Sequence, residues 1–327
     1  MRGVLWVVAG SVVALAGCGE GGVSEGGPRA GTGSNAVAAE GPSGVVVADG
    51  SSTVYPITHA AKGSYERANP NAQVIVGVHG TTGGFTRYLS GDVDVVNASR
   101  AATPDEQARA REKGLDWTPF LVGHDGVTVV VNPTNRFVKD LSVEQLKRLF
   151  EPGSSIRSWK DLDPSWPDRK INLYVPDEDS GTFDFFTEAI VGKVDAQRTD
   201  VKTSADDGTL VKDVGGDPDG LGYFGFSYYG ANKGDVRAVP IRRTAESPPV
   251  PPELETLLRR EYVPLGRPLY IYVKNDAMRR PEVAEFVRHY LENVEELATM
   301  AGYVPPSDED VAANARALAA LTSARGG

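Results

Sequence analysis

An α/β architecture in two lobes is what this sequence predicts, and three observations lead there. Strand-like runs alternate with helical patterns, which favours largely parallel strand pairing. The 327 residues exceed what one compact core usually holds. Hydrophobic residues make up 40% and charged residues 24%, the ordinary balance of a globular protein.

The first residues stand apart from that fold. Met1-Arg2 is a short positive start, and Val4–Ala16 is an apolar run too short to cross a bilayer comfortably. It ends in Leu15-Ala16-Gly17-Cys18, which resembles a bacterial lipobox. In such signal peptides the cysteine is lipidated and becomes the first residue of the mature chain. Residues 1–18 are therefore expected to be a lipoprotein signal peptide, with Cys18 carrying the membrane anchor. Cys18 is the sole cysteine, so no internal disulfide can form. Residues 19–44, rich in Gly, Ser and Ala without an apolar period, read as a flexible linker. The expected location is the cell envelope, extracytoplasmic and lipid-anchored.

The folded chain starts with a buried strand, Val45–Ala48, a polar loop, Asp49–Thr53, and an amphipathic helix. Val54, Ile57, Ala60, Ala61 and Tyr65 recur at helical spacing, and Pro70 marks a stop. Gln73–Val78 is a second strand. A glycine-rich loop, His79–Gly84, precedes a helix over Phe85–Ser90, and Val93–Asn97 is a strand ending in Ala98-Ser99-Arg100. Thr103, Pro104 and Glu106 open a helix that runs to about Lys113. Trp117–Val122 and Val127–Val131 read as two strands broken by Gly123-His124-Asp125-Gly126, where the chain is expected to cross between lobes. Helices follow at Leu141–Phe150 and Phe183–Val191, with a strand at Lys170–Val175 between them. Gly222–Tyr229 reads as a strand and turn, Val236–Ile241 as a strand, and Leu269–Val273 as a strong strand. Pro281–Leu291 and the alanine-rich Asp308–Thr322 read as helices. Lobe 1 is expected to comprise residues 45–124 and 242–327, and lobe 2 residues 125–241.

Three loops share one pattern: Gly50-Ser51-Ser52-Thr53, Gly80-Thr81-Thr82-Gly83-Gly84 and Asp179-Ser180-Gly181-Thr182. Each puts hydroxyls and small residues where a strand gives way to a helix. There, unpaired N–H groups and the positive end of the helix dipole suit an oxyanion. Any one of them serves equally well as a helix cap. Their repetition, with Arg100 at the end of a strand, points to a shared anion site, because arginine is a forked donor for paired oxygens. The net charge of −10 argues against nucleic acid as a partner but not against a small anion held by local donors. Catalytic signals are weak. Four histidines lack metal-ligand spacing, and there is neither a nucleophile elbow nor a phosphate loop of the Walker type. Asp206, Asp207, Asp213, Asp217 and Asp219 read as a polar loop without a calcium-loop order. No cofactor is expected.

DGSSTVYPI at 49–57, GTTGG at 80–84, NASR at 97–100, DGVTVVVN at 125–132 and DSGTFDFFTE at 179–188 together resemble the phosphate-binding proteins of the high-affinity phosphate ABC transporter. The likeness runs in order over roughly residues 45–305. It implies the two-lobed periplasmic binding protein type II fold, with a ligand cleft between lobes. It implies a monomer that captures inorganic phosphate and hands it to ABC permease subunits, without enzymatic activity. Phosphate contacts are implied for Ser52, Thr53, Thr81, Ser180, Gly181 and Thr182; Arg100, read from the residues themselves, is expected to supply the positive charge. One departure stands out: in the best-known members an aspartate occupies the position of Arg100, and an arginine that of Pro176. The family's aspartate accepts the hydrogen of HPO4²⁻ and repels sulfate. Here Asp125 is the expected substitute, with Asp179 second. Sulfate, molybdate or a phosphonate would be alternative ligands, and an exported phosphoesterase an alternative function.

Overall fold

The computed structural model of the protein describes residues 42–178 and 180–323. The leader, Cys18, most of the linker and Asp179 lie outside the described residues. In chain order the first elements are β1 (Gly44–Gly50), α1 (Tyr55–Ala68), β2 (Ala72–Val76), α2 (Gly80–Ser90), β3 (Val95–Ala98) and α3 (Pro104–Glu112). Next come β4 (Trp117–Val131), β5 (Leu141–Ser142), α4 (Val143–Phe150), α5 (Trp159–Leu162), β6 (Asn172–Pro176) and α6 (Gly181–Phe186), which continues as a π-turn over Thr187–Val191. Then follow β7 (Lys202–Ser204), α7 (Asp207–Gly216), β8 (Gly220–Gly225), α8 (Phe226–Ala231), β9 (Arg237–Ala238), β10 (Ile241–Arg242) and α9 (Leu254–Leu258). The chain closes with β11 (Gly266–Lys274), α10 (Pro281–Glu292), α11 (Val294–Met300) and α12 (Asp308–Ser323).

Among the described residues nine strands form one sheet in the order β2-β1-β3-β11-β4-β8-β6-β7, with β9 beside β4. The α/β class is thus as expected. The parallel pairs β1–β2, β1–β3, β6–β8 and β6–β7 lie towards the two ends, and antiparallel pairing through β11, β4 and β8 joins them.

β4 is the element the sequence misread. Gly123–Gly126 does not break it; one strand of fifteen residues runs from Trp117 to Val131. The reason is tertiary. Leu269, Pro268, Arg267 and Gly266 of β11 pair with Gly123, His124, Asp125 and Gly126 in turn. His124 also exchanges both backbone hydrogen bonds with Val304, at 2.8 and 3.0 Å. With its backbone groups paired on both sides, a segment of turn-forming residues stays extended. Gly126 has a further constraint: a Cβ there would meet Leu257 Cδ2 at 2.6 Å.

The two halves of the sheet have separate cores. Val46, Ile57, Tyr65, Phe120, Ile271 and Phe286 belong to the first, Val129, Leu146, Phe150, Trp159, Phe186 and Tyr223 to the second. β4 contributes to both, changing core between Val122 and Val127. Leu257, Tyr262 and Leu265, from a stretch the sequence assigns to the first lobe, pack in the second core. Local signals behave as expected elsewhere. Thr103 and Glu106 form a reciprocal capping box on α3, and Ser142 with Gln145 does the same on α4, which starts at Val143 rather than Leu141. Much of the aspartate-rich stretch is not a loop but α7, capped by Asp206 through Gly208 N–H at 2.9 Å, with Leu210, Val211 and Val214 buried; Asp217 and Asp219 lie in the turn that follows. α12 docks on β4: buried Asn314 accepts from the Leu121 N–H at 3.1 Å and donates to its carbonyl at 2.7 Å.

Candidate functional site

Two of the three hydroxyl-bearing loops converge. α1 begins after Val54 and α2 after His79, and neither helix start is capped by a side chain. The hydroxyls of Ser52, Thr53 and Thr81 are thus not consumed as caps, the bland use that Ser and Thr have at such positions. They line a cavity of about 580 Å³ together with Arg100, His79 and Arg267. The second loop differs from expectation in one respect. α2 starts at Gly80, so Thr81 to Gly84 form its first turn rather than a loop before it. Gly84 is what allows the close approach: a Cβ there would lie 2.8 Å from Gly50 Cα and 2.9 Å from Asp49 O. Gly50 in turn has φ 137°, and its Cβ would strike Asn97 O.

Behind the first loop, Asp49 is fully buried. Its carboxylate accepts from Gly50 N–H at 2.7 Å, from His79 N–H at 3.1 Å and from His79 Nδ1 at 2.8 Å, and it is ion-paired to Arg87. Burial pushes this carboxyl up, but the bonds from His79 and Arg87 outweigh it and hold it below its ordinary value. Arg87, although partly exposed, is thus tied to the buried carboxylate. It anchors the aspartate on which both loops rest.

Arg100 reaches the cavity but not as a free cation. Its guanidinium makes a bidentate pair with Glu106, 2.9 Å on each arm, and donates to Thr82 Oγ1 at 3.0 Å. Burial of the Glu106 carboxyl opposes its ionisation, and Arg100 overcomes this and keeps it low. Thr81 Oγ1 accepts from Ser99 N–H at 3.2 Å, tying α2 to the end of β3.

Arg267 is the cavity-lining cation that sequence reasoning missed. It is 12% exposed, pairs with Asp125 at 3.1 Å, donates to Thr53 Oγ1 at 2.7 Å and stacks 3.6 Å from the centre of the Phe185 ring. Asp125 thus serves a partner 142 residues away, and no spacing rule connects them. Burial pushes its carboxyl up while Arg267 pulls it down, and burial prevails. Asp125 does not line the arginine-bearing cavity. It borders a second one, of about 360 Å³, together with Thr182, His124, Asp207 and Tyr303.

The third loop is thus separated from the first two. Ser180 Oγ accepts from Thr182 N–H at 3.2 Å, so its hydroxyl is used as a cap on α6. Ser180 and Gly181 line neither cavity, whereas Asp184, Phe185 and Glu188, further along the same segment, line the first. Among the described residues no group of three or more His, Cys, Asp and Glu could hold a metal ion. No helix among them is long and apolar enough to cross a membrane.

Comparison with known proteins bears on the family and the fold. A family profile for the PBP superfamily domain matches residues 26–293. Protein SphX of Synechocystis sp. is 41% identical over 267 residues, covering 81% of this chain and 79% of its own. The phosphate-binding protein PstS of Staphylococcus saprophyticus is 35% identical over 285 residues, 86% of each chain. Among solved structures, a possible phosphate binding protein from Planctomyces limnophilus superposes with a TM-score of 0.82 at 35% identity. That match covers 86% of this chain and 99% of the other.

Proposed function

The chain belongs to the PBP superfamily, among the PstS-like phosphate-binding proteins and with their type II fold, and from that premise we propose that it captures inorganic phosphate. The observation that carries the reading is the first cavity. It gathers uncapped hydroxyls at two helix starts, Ser52, Thr53 and Thr81, with the guanidinium groups of Arg100 and Arg267. Donors already held in place by Glu106, Asp125 and Phe185 bind an anion with little reorganisation.

In this reading Asp125 is not the acceptor of a phosphate hydrogen; it positions Arg267. Residues 45–124 with 242–327, and residues 125–241, act as the two lobes, except that the segment with Leu257, Tyr262 and Leu265 goes with the second. They close about the crossing strands β4 and β11, and closure adds Ser180, Gly181 and Thr182 to the anion. Lipidated Cys18 and the 19–44 linker hold the protein at the outer face of a membrane, where it delivers phosphate to an ABC permease. Calorimetric titration of the purified protein with phosphate and then sulfate, from pH 5 to 8.5, tests this. Phosphate binding with sulfate excluded is the expected result, and equal binding of both replaces phosphate by a general tetrahedral oxyanion.

A second reading has one observation in its favour. His79 Nδ1 is held by buried Asp49 while the ring lines the cavity, an orientation a general base would need. A phosphoesterase of this kind requires turnover of a chromogenic phosphate ester that is lost in H79Q. No turnover by the wild-type protein removes it.

A further inference from the structure

The first cavity contains more than cation and hydroxyl. Asp184 and Glu188, one turn apart on the segment that begins with α6, both face into it. Asp195 stands behind Asp184, its backbone N–H fixed on the Thr187 hydroxyl at 3.0 Å in a left-handed conformation with φ 62°. Two carboxyl groups thus line one cavity, with a third against Asp184 from behind. The two guanidinium groups that also line the cavity neutralise this cluster only in part, because each has a carboxylate partner of its own. Arg267 is paired to Asp125 and stacked on Phe185, and Arg100 is clasped by Glu106. His79, the remaining titratable group on the wall, is turned to Asp49.

An anion entering this space adds a further negative charge beside Asp184 and Glu188. Like charges at contact distance in a partly dry site do not stay ionised together. We propose that Asp184 takes up a proton from solvent as the anion enters and donates the resulting O–H to an anion oxygen, so that capture is coupled to proton uptake. The inference rests on the anion-binding reading of the cavity. Asp184 is already poised for it. Burial, then Asp195 and Glu188, raise it to about 6 against the pull of Arg267. An approaching anion moves it the same way. A folded-state value that rises on binding means that protons enter with the ligand, and that affinity declines as pH climbs from the free value towards the one reached in the complex and levels off above it.

The test is calorimetric titration of inorganic phosphate into the protein at pH 7.5, in buffers of differing ionisation enthalpy. The dependence of the observed heat on the buffer counts the protons exchanged. The comparison of wild type with D184N cancels any proton the phosphate itself exchanges. Wild type is expected to take up about one proton more than D184N, which still binds through its amide and shows a flatter pH profile. D195N, which leaves the cavity wall intact, reduces uptake in part and serves if D184N does not fold. Equal proton counts in wild type, D184N and D195N overturn the inference and leave phosphate binding standing. So does an unchanged count in D184N with newly acquired sulfate binding, which makes Asp184 an acceptor instead. A wild-type protein that binds no phosphate overturns this inference together with the reading beneath it.

Discussion

Replacing Arg267 with alanine should cost the fold more than any other single change at the candidate site. The side chain is 12% exposed, as is its partner Asp125, so solvent screens the pair little. Truncation leaves a buried carboxylate without its cation, and such losses cost about 3–5 kcal/mol. The Thr53 hydroxyl bond and the stack on Phe185 go with it. The double variant R267A/D125A removes the orphaned charge as well, and it should recover roughly half of the loss or more. Urea unfolding at neutral pH measures both. The pH dependence gives a second check with a definite sign. Without Arg267 the carboxyl of Asp125 is raised further above its unfolded value. R267A should therefore be nearest to wild type in acid, below the usual carboxylate range, and fall behind as pH rises through the raised value. A double variant as unstable as the sum of the two single ones would refute the account of Asp125 as a charge held only by Arg267.

Two further expectations concern the loops. Arg87→Ala should not be silent, although the residue lies on a helix with its side chain over a third exposed. It takes one partner from buried Asp49, and after allowance for screening it should lower unfolding stability by about 1–2 kcal/mol. Asp49 is held below its ordinary value in part by this contact. The difference between wild type and R87A is therefore full above the carboxylate range and shrinks as pH falls through the lowered value, which chemical unfolding at pH 7 and in acid would reveal. Gly84→Ala should push α2 off β1, because the added methyl meets Gly50 Cα and Asp49 O at under 3 Å. A loss of about 1–3 kcal/mol in thermal or urea unfolding, with weakened phosphate binding, is expected. Wild-type stability in this variant would show that the two loops are not packed as described.

Much of the fold was legible because it is local. Thr103 with Glu106 and Ser142 with Gln145 are capping pairs three residues apart, and each closes within its own turn whatever surrounds it. The first two hydroxyl loops were legible for the same reason: glycine and small polar residues between a strand and a helix mark the junction by backbone preference alone. Where the sequence misled, partners far along the chain overrode local preference. Gly123 to Gly126 carry every mark of a turn, yet β11 and Val304 pair with them and keep them extended. The aspartates from 206 to 219 read as a polar loop until Leu210, Val211 and Val214 found the second core.

By itself, then, the sequence determined the α/β class and most element positions, and it singled out Ser52, Thr53, Thr81 and Arg100, which line one cavity. Those properties depend on residue type and short-range spacing. Only the tertiary structure decided which cations face the cavity and how far each is already neutralised. Arg267 arrives there because β11 pairs antiparallel with β4, and the same register sets it against Asp125. Ser180 is used as a helix cap while its neighbours Asp184 and Glu188 turn inward. A strand register and a helix rotation leave no trace in local sequence, since both are set by how distant surfaces pack.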